Sequence, residues 1–400
     1  MLMVSDLIEI ARGHATAERL VLRSPQRFAQ AGARRAPVVV WNVCRHCDMR
    51  CPHCYAAASA APSVHDLPTA AAKSMLDRLA RNGVTVVIFS GGEPLLRGDL
   101  LELIAHARDV GIAPQLSSNG VHIDPDAARA LKSAGVAYVG VSIDGLPEFN
   151  DAWRGMERAF ARASDGLRNA HDAGMRTGMR MTVTRRNVDD VFALIDHATT
   201  LSVSRFYVSH LVDSGRAVRL VGDDLRPSET RGLLWQLFDD AARRLDDARA
   251  PRIVTGGNDS DGPLLLTWVR ERYDSAAAER VRTLLERRGG NSAGEAVLAI
   301  DSRGRVHPDQ FWRGQSLGDA TTTDLDVILA HPLAQALRTR EIRLTGRCGS
   351  CTYRGICRGS HRERALARYG DVWASDPSCV MTDAEIAVPR SSPTATGVSA

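Results

Sequence analysis

The sequence predicts an α/β protein, a barrel or partial barrel of parallel strands followed by a smaller C-terminal module. Two observations carry that prediction. Short β-branched runs alternate with longer amphipathic ones through the first half of the chain, and several amphipathic runs close on glycine. The eight cysteines also fall into two groups, at 44, 47, 51 and 54 and at 348, 351, 357 and 379, with none between. Regular alternation gives a parallel sheet whose strand C-terminal ends line the active face. Cysteines grouped so far apart suit two separate ligand sets better than a disulfide framework spread through loops.

Residues 1–34 read as a short, largely helical N-terminal extension. Asp6 and Glu9 stand where a signal peptide would be basic and then purely apolar, so a cytoplasmic protein is expected. No apolar run approaches the roughly 18 residues of a membrane span. The strands expected are Pro37–Val43, Val84–Ser90, Ala113–Ser118, Val136–Ile143, Arg176–Val183 and Ser204–His210. Between them the helical pattern covers Ala70–Arg81, Asp99–Val110, Asp126–Ser133, Glu157–Asp172 and Asp189–Thr200. Gly83, Gly111, Gly135 and Gly174 fall where helices end. Together they make a six-strand module over 35–255. Long helices follow at Glu229–Arg249 and Pro263–Arg288, and Ala296–His307 reads as a hairpin within a second module, 256–386. The last residues, 387–400, are rich in Ser, Thr and Pro and are expected to form a disordered tail. The formal net charge of +4 over 400 residues implies no nucleic-acid partner.

Cys47, Cys51 and Cys54 lie in one loop directly after the first strand, as Cys-x3-Cys-x2-Cys. A four-iron cluster needs four ligands, so three thiolates leave one iron open to an outside donor. Zinc or unligated core thiols are the other readings of the spacing alone. With His53 and Tyr55 beside the last cysteine, the loop resembles that of the radical S-adenosylmethionine (SAM) superfamily. Gly91-Gly92-Glu93-Pro94 ends the second strand, Ser117-Ser118-Asn119-Gly120 the third and Ser142-Ile143-Asp144-Gly145 the fourth, all similar to family segments. The resemblance implies a partial (β/α)6 TIM-like barrel, with a [4Fe-4S] cluster on Cys47, Cys51 and Cys54 that generates the radical. It also implies SAM contacts from Tyr55, Gly91, Gly92, Glu93, Ser117, Asn119, Ser142, Asp144 and Arg154. Cys44 is extra to the motif and is expected to be a non-ligand.

Cys348, Cys351, Cys357 and Cys379 resemble the SPASM-type extension of this superfamily, which implies a second, fully ligated [4Fe-4S] cluster; a four-thiolate zinc site is the alternative chemistry. Longer strings, VVVWN at 38–42, SHLVDSGR at 209–216, GGNSAG at 289–294 and HPDQFW at 307–312, are similar to the radical SAM proteins of haem d1 biosynthesis. That resemblance implies an oxidoreductase that removes two propionates from 12,18-didecarboxysirohaem, an iron tetrapyrrole bearing several carboxylates. An electron donor such as flavodoxin or ferredoxin is implied with it. Sister families that deacetylate the same tetrapyrrole or decarboxylate iron-coproporphyrin share much of the pattern. SPASM peptide maturases and a zinc-stapled binding scaffold are more distant readings. A polycarboxylate substrate wants cationic and histidine side chains around its pocket. Arg180, His210, Arg216, His307 and Arg313 are the candidates, with His210 also a candidate catalytic residue, an iron ligand or a satisfied core histidine.

Overall fold

The computed structural model describes residues 1–16 and 36–387. Of the expected tail, 387–400, residues 388–400 lie outside the described residues. In chain order the strands are β1 (Val38–Asn42), β2 (Val86–Ser90), β3 (Ala113–Ser118), β4 (Tyr138–Ser142), β5 (Arg176–Val183), β6 (Arg205–His210), β7 (Arg252–Gly256), β8 (Val297–Ile300), β9 (Arg305–His307) and β10 (Gly318–Asp319). They form one open ten-stranded sheet in the order β10-β9-β8-β1-β2-β3-β4-β5-β6-β7. From β8 through β1 to β7 every pairing is parallel, while β9 and β10 run antiparallel.

The helices that cover the sheet are α1 (Val4–Ala11), α2 (Thr69–Arg81), α3 (Leu100–Asp109), α4 (Pro125–Ala134), α5 (Pro147–Arg154), α6 (Ala159–Asp172), α7 (Val191–Thr200), α8 (Pro227–Arg243), α9 (Asp261–Arg272) and α10 (Ser275–Arg288). Apart from α5, whose Trp153 packs in a separate small cluster with Leu211, Ala217 and Leu220, their apolar faces close one continuous core with the buried strand residues Val39, Trp41, Val87, Phe89, Leu116, Val139, Met179 and Phe206. Strands buried on both faces read as unbroken β-branched runs, which is why VVVWN and VVIFS were legible as strands. Helix ends follow local chemistry. Asp124 caps α4 by accepting from Ala127 N–H, and Gly135 ends it at φ +115°.

The structure departs from the sequence expectation in four places. A seventh parallel strand, β7, lies beyond β6, and its outer edge is closed by Leu2, whose backbone exchanges bonds of 2.6 and 2.9 Å with Thr255. Asp6 and Glu9, the acids that argued against a signal peptide, both reach Arg252 on β7, at 2.7 and 2.5 Å. Residues 263–288 are two helices and not one, because Asp274 adopts an extended backbone and caps α10 through Ala277 N–H. Helix α8 stops at Arg243, six residues short of its expected end. The predicted hairpin is present as β8 and β9, and β8 pairs in parallel with β1, so the sheet runs unbroken between the two expected modules.

The rest of the chain contributes α11 (Leu325–Leu329), α12 (Pro332–Arg338), α13 (Gly346–Gly349), α14 (Arg354–Cys357), α15 (Arg362–Tyr369) and α16 (Asp383–Ile386). The GGNSAG string ties this region to the sheet. Gly290, at φ +55°, lies against the carbonyls of Ile356 and Cys357, where a side chain would collide. Asn291 then accepts from Arg340, whose wholly buried guanidinium also donates to the carbonyls of Leu337 and Ala293, both at 2.6 Å. No carboxylate bonds Arg340, and burial pulls its pKa down to about 9. Removing it strands three buried acceptors, so Arg340→Leu is expected to lower stability by about 3 kcal/mol. Exposed Arg343→Ala, which loses only a contact of its guanidinium over the Trp373 ring, should cost less than about 1 kcal/mol, and urea unfolding of the two variants checks the contrast.

Candidate functional site

The loop after β1 is fixed before any ligand arrives. Val43 N–H donates to Ser90 O, Gly92 N–H to Cys44 O and Glu93 N–H to His46 O, at 2.8, 2.8 and 2.7 Å. The strand ends of β1 and β2 are therefore stitched through the GGE segment. The two glycines are required by this stitching. A Cβ on Gly91, whose φ is +145°, would lie 2.6 Å from Cys44 O, and one on Gly92 would run into His46 O. Cys44 is buried and its thiol donates to Glu93 O at 3.4 Å, as suits a core cysteine.

Glu93 is wholly buried and turns inward. Its carboxylate accepts from Leu95 N–H at 3.1 Å, Ser118 Oγ at 2.8 Å and Asn119 N–H at 2.7 Å, so it shapes the end of β3. Asn119 in turn donates to Asp48 inside the cysteine loop at 2.9 Å, and Asp48 pairs with His122 at 2.7 Å. Burial opposes ionisation of Asp48, but the His122 bond holds it below the usual carboxylate range and raises His122 in return.

On the other side, Asp144 is the hub. It lies 3.0 Å from His53 and 2.5 Å from Arg154, and accepts from Thr182 N–H at 2.8 Å. Burial works against its charge, yet Arg154 and His53 hold Asp144 well below the usual carboxylate range. Arg154 extends from there to Cys51 Sγ at 4.0 Å, and His53 stacks on Trp153 at 5.6 Å and 8°. Both arise from α5, a helix whose polar sequence gave no helical signal. Tyr55 donates to Asn42 at 3.0 Å, sits 3.2 Å from Ser90 Oγ, and meets Phe311 edge-on at 5.5 Å.

The eight cysteines are all free. Among the described residues no three His, Cys, Asp or Glu side chains gather closely enough to hold a single metal ion. The first set nonetheless suits a cationic cluster. Burial pushes Cys47 up to about 12 and Cys51 up to about 11, so thiolates here need positive charge beside them, of which Arg154 supplies part. Of the second set, burial raises Cys351 and Cys379 and drives Cys357 well up, and Arg347 stands beside Cys379. This set is fastened to the end of the sheet through residues the sequence reading overlooked. Asn258 donates to Ser378 O at 2.7 Å, and Val380 N–H donates to Ser260 Oγ at 3.2 Å. Arg364 bonds Gly257 O at 2.7 Å and Asp376 at 2.9 Å. The run Asn258-Asp259-Ser260-Asp261 is polar in sequence, and only its burial marks it.

The expected substrate residues divide. Arg180, on β5, lies across Gly140 and donates to Ser117 Oγ at 2.5 Å, within the mouth. Arg313 is half-buried near Tyr55, and no described residue takes a hydrogen bond from its guanidinium. The other three are engaged within the protein. Arg216 donates to Cys51 O at 2.9 Å and Ala58 O at 2.7 Å, clamping the cysteine loop. His210 is buried against Asp261 at 2.9 Å, the satisfied core histidine among its readings. His307 bonds Gln315 O at 2.6 Å and lies 3.5 Å from Asp301, closing its own hairpin. Ser142 ends β4, half-buried beside Asp144.

Glu93 gives a test of the stitching. Burial pushes its pKa up to about 7 from a free value of 4.5, so folding takes up a proton between those values. Its contribution to stability is complete below the free value and is lost as the pH rises through about 7. Urea unfolding at steps across that window should show wild type losing stability and Glu93→Gln losing clearly less. Equal slopes in the two proteins would remove Glu93 as the cause.

Residues 41–198 match the family model described as the Radical SAM superfamily. The chain is 38% identical over 369 residues to the Fe-coproporphyrin III synthase of Methanosarcina barkeri, covering 90% of this chain and 92% of the relative. It is 36% identical over 374 residues to the pre-heme d1 synthase of Dinoroseobacter shibae, covering 92% and 91%. Among solved structures, SuiB of Streptococcus suis bound to its precursor peptide SuiA overlays with a TM-score of 0.68 at 19% identity, covering 92% of this chain and 80% of that one. The anSMEcpe structure with bound AdoMet overlays with a TM-score of 0.66 at 18% identity, covering 86% and 94%; both likenesses speak to the fold. The cysteine loop at the mouth of a parallel sheet thus belongs to a family that implies a [4Fe-4S] cluster and SAM, and this chain is a member of the radical SAM superfamily, an enzyme.

Proposed function

We propose that the chain removes two propionate side chains from 12,18-didecarboxysirohaem in haem d1 biosynthesis. The observation that carries this reading is the similarity to the D. shibae pre-heme d1 synthase over nine-tenths of both chains. Cys47, Cys51 and Cys54 would hold the radical-generating cluster, and Cys348, Cys351, Cys357 and Cys379 a second one. Bound in the first loop, the cluster and SAM supply a 5′-deoxyadenosyl radical able to take hydrogen from a propionate carbon.

The chain's own residues supply position. Asp144, His53 and Arg154 fix the thiol loop, and Arg216 clamps its carbonyls from the far side. Ser117, Asn119, Ser142 and Tyr55 line the ends of the strands where SAM would lie. Arg180 and Arg313 offer the cationic groups that a polycarboxylate ring needs. No helix of the described residues is long and apolar enough to cross a membrane, and an outside one-electron donor would reach the protein from solution.

A second reading has its own support, since the M. barkeri relative is a Fe-coproporphyrin III synthase of slightly higher identity. Acetates, not propionates, would then be lost from the same ring. Anaerobic incubation of the reconstituted protein with reductant, SAM and didecarboxysirohaem, followed by mass spectrometry, separates the two. Propionate loss together with 5′-deoxyadenosine is the expected result, whereas acetate loss assigns the chain to the second reading. Deoxyadenosine with an untouched tetrapyrrole defeats both.

A further inference from the structure

Arg154 is the last residue of α5 and is 4% exposed where that helix meets the thiol loop. Both ends of the residue are fastened. Its carbonyl accepts from the N–H of Arg50, a member of the loop between Cys47 and Cys51, at 3.0 Å, and the chain then turns at Gly155 with φ +66°. Its Nη2 donates to Asp144 Oδ2 at 2.5 Å. Asp144 is itself held in place, its N–H donating to Asn150 Oδ1 at 2.9 Å and its carbonyl accepting from Asn187 Nδ2 at 2.6 Å. The guanidinium is therefore a fixed charge.

Two of its nitrogens are not spent on Asp144. Nη1 lies 4.0 Å from Cys51 Sγ, and Nε, closed to solvent, has no hydrogen-bond partner among the described residues. A buried donor without an acceptor is costly, and thiolates bearing a cluster would relieve that cost. Of the charges acting on Cys51, Arg154 favours the thiolate and Asp144 opposes it, while Arg216, bonded to Cys51 O at 2.9 Å, works in the same direction as Arg154. Arg154 is the member of the ion pair that reaches the sulfur.

The reduction potential of an iron–sulfur cluster follows its net charge, the hydrogen bonds to its sulfurs and its exposure to solvent. Thiolates around a four-iron core carry net negative charge, and reduction adds one electron to it. A fixed cation out of reach of water favours the more negative state, because little screens it. We propose that Arg154 raises the reduction potential of the [4Fe-4S] cluster on Cys47, Cys51 and Cys54, and that Asp144 limits that rise. Naming the group on those thiols rests on the reading above. The pair eases the transfer of one electron from an outside donor of the flavodoxin or ferredoxin class. The donor is oxidised by one electron and the cluster reduced by one, with no bond made or broken.

The test is a dye-mediated redox titration of the full, anaerobically reconstituted chain, followed by electron paramagnetic resonance, for wild type, Arg154→Gln, Arg154→Lys and Asp144→Asn. The signal component that changes when SAM is added identifies the cluster of the first loop. Iron content and far-ultraviolet circular dichroism establish that each variant is folded and loaded. The expected midpoint shifts are opposite in sign, more negative for Arg154→Gln and less negative for Asp144→Asn. Arg154→Lys, which keeps the charge, should lie closer to wild type than Arg154→Gln does. A role confined to holding the loop would lower iron content without ordering the potentials by charge. Where Arg154→Gln loses its iron, the less negative midpoint of Asp144→Asn decides by itself. An Asp144→Asn midpoint at or below that of wild type, or a wild-type midpoint in loaded Arg154→Gln, overturns the assignment alone. Loss of iron from all three variants also overturns it, because the pair then serves assembly of the site. Reconstituted wild type with no SAM-responsive signal overturns the cluster reading and this assignment together.

Discussion

The buried carboxylate of Asp144 is the constraint on which the mouth of the sheet depends. An isolated charge in that position would be expelled by its own desolvation, so it persists only because Arg154 and His53 answer it directly. The same two residues reach outward, Arg154 toward Cys51 Sγ and His53 against Trp153. One buried anion thus connects the end of β4, the helix α5 and the thiol loop after β1. Loss of Arg154 would leave the buried Asp144 carboxylate without its guanidinium and Cys51 Sγ without its cationic neighbour.

A second web does the same for the distal cysteines. Arg364 is buried against Asp376 and bonds two carbonyls at the sheet's end, Gly257 and Leu211. Asn258 and Ser260 take hold of Ser378 and Val380 on either side of Cys379, while Asn291 and Gly290 abut Cys357. Around Cys379 these are a backbone carbonyl and an amide held by side chains, and at Cys357 backbone meets backbone, so the second set is anchored by residues outside its own short helices. The pairing of β8 with β1 is consistent with that: the region after α10 is built onto the strand that carries the first loop.

What the sequence disclosed and what it withheld divide along the distance over which the deciding interaction acts. Strands β1 and β2 were legible because burial on both faces demands uninterrupted apolar runs, and the helix ends because Asp124 and Gly135 act within four residues. Strand β7 was missed because RIVTG is short and follows a long helix, and its identity as a strand depends on β6 and on Leu2, 253 residues away from Thr255. Helix α5, PEFNDAWR, has too little apolar character to announce itself, yet it supplies Arg154. The cysteines were legible because their spacing is local. The partners of Arg216 and His210 were not legible, because nothing in a sequence shows that Arg216 is engaged by carbonyls 158 and 165 residues earlier, or that His210 faces Asp261.

The HPDQFW string shows how a specific motif can be positional more than chemical. His307 closes the turn on Gln315 O, and Asp309 spends one carboxylate oxygen on the N–H groups of Phe311 and Trp312, at 2.9 and 3.0 Å. Those bonds set the backbone so that Phe311 reaches three places at once: Tyr55, His361 and Ser214. A residue that bridges the first cysteine loop, the loop after β6 and the C-terminal region cannot shift without disturbing all three. Arg313 is the first side chain after the string with no such commitment. A motif whose His307, Asp309 and Phe311 are engaged in holding shape leaves its chemistry to the residue it delivers, and here that residue carries a guanidinium.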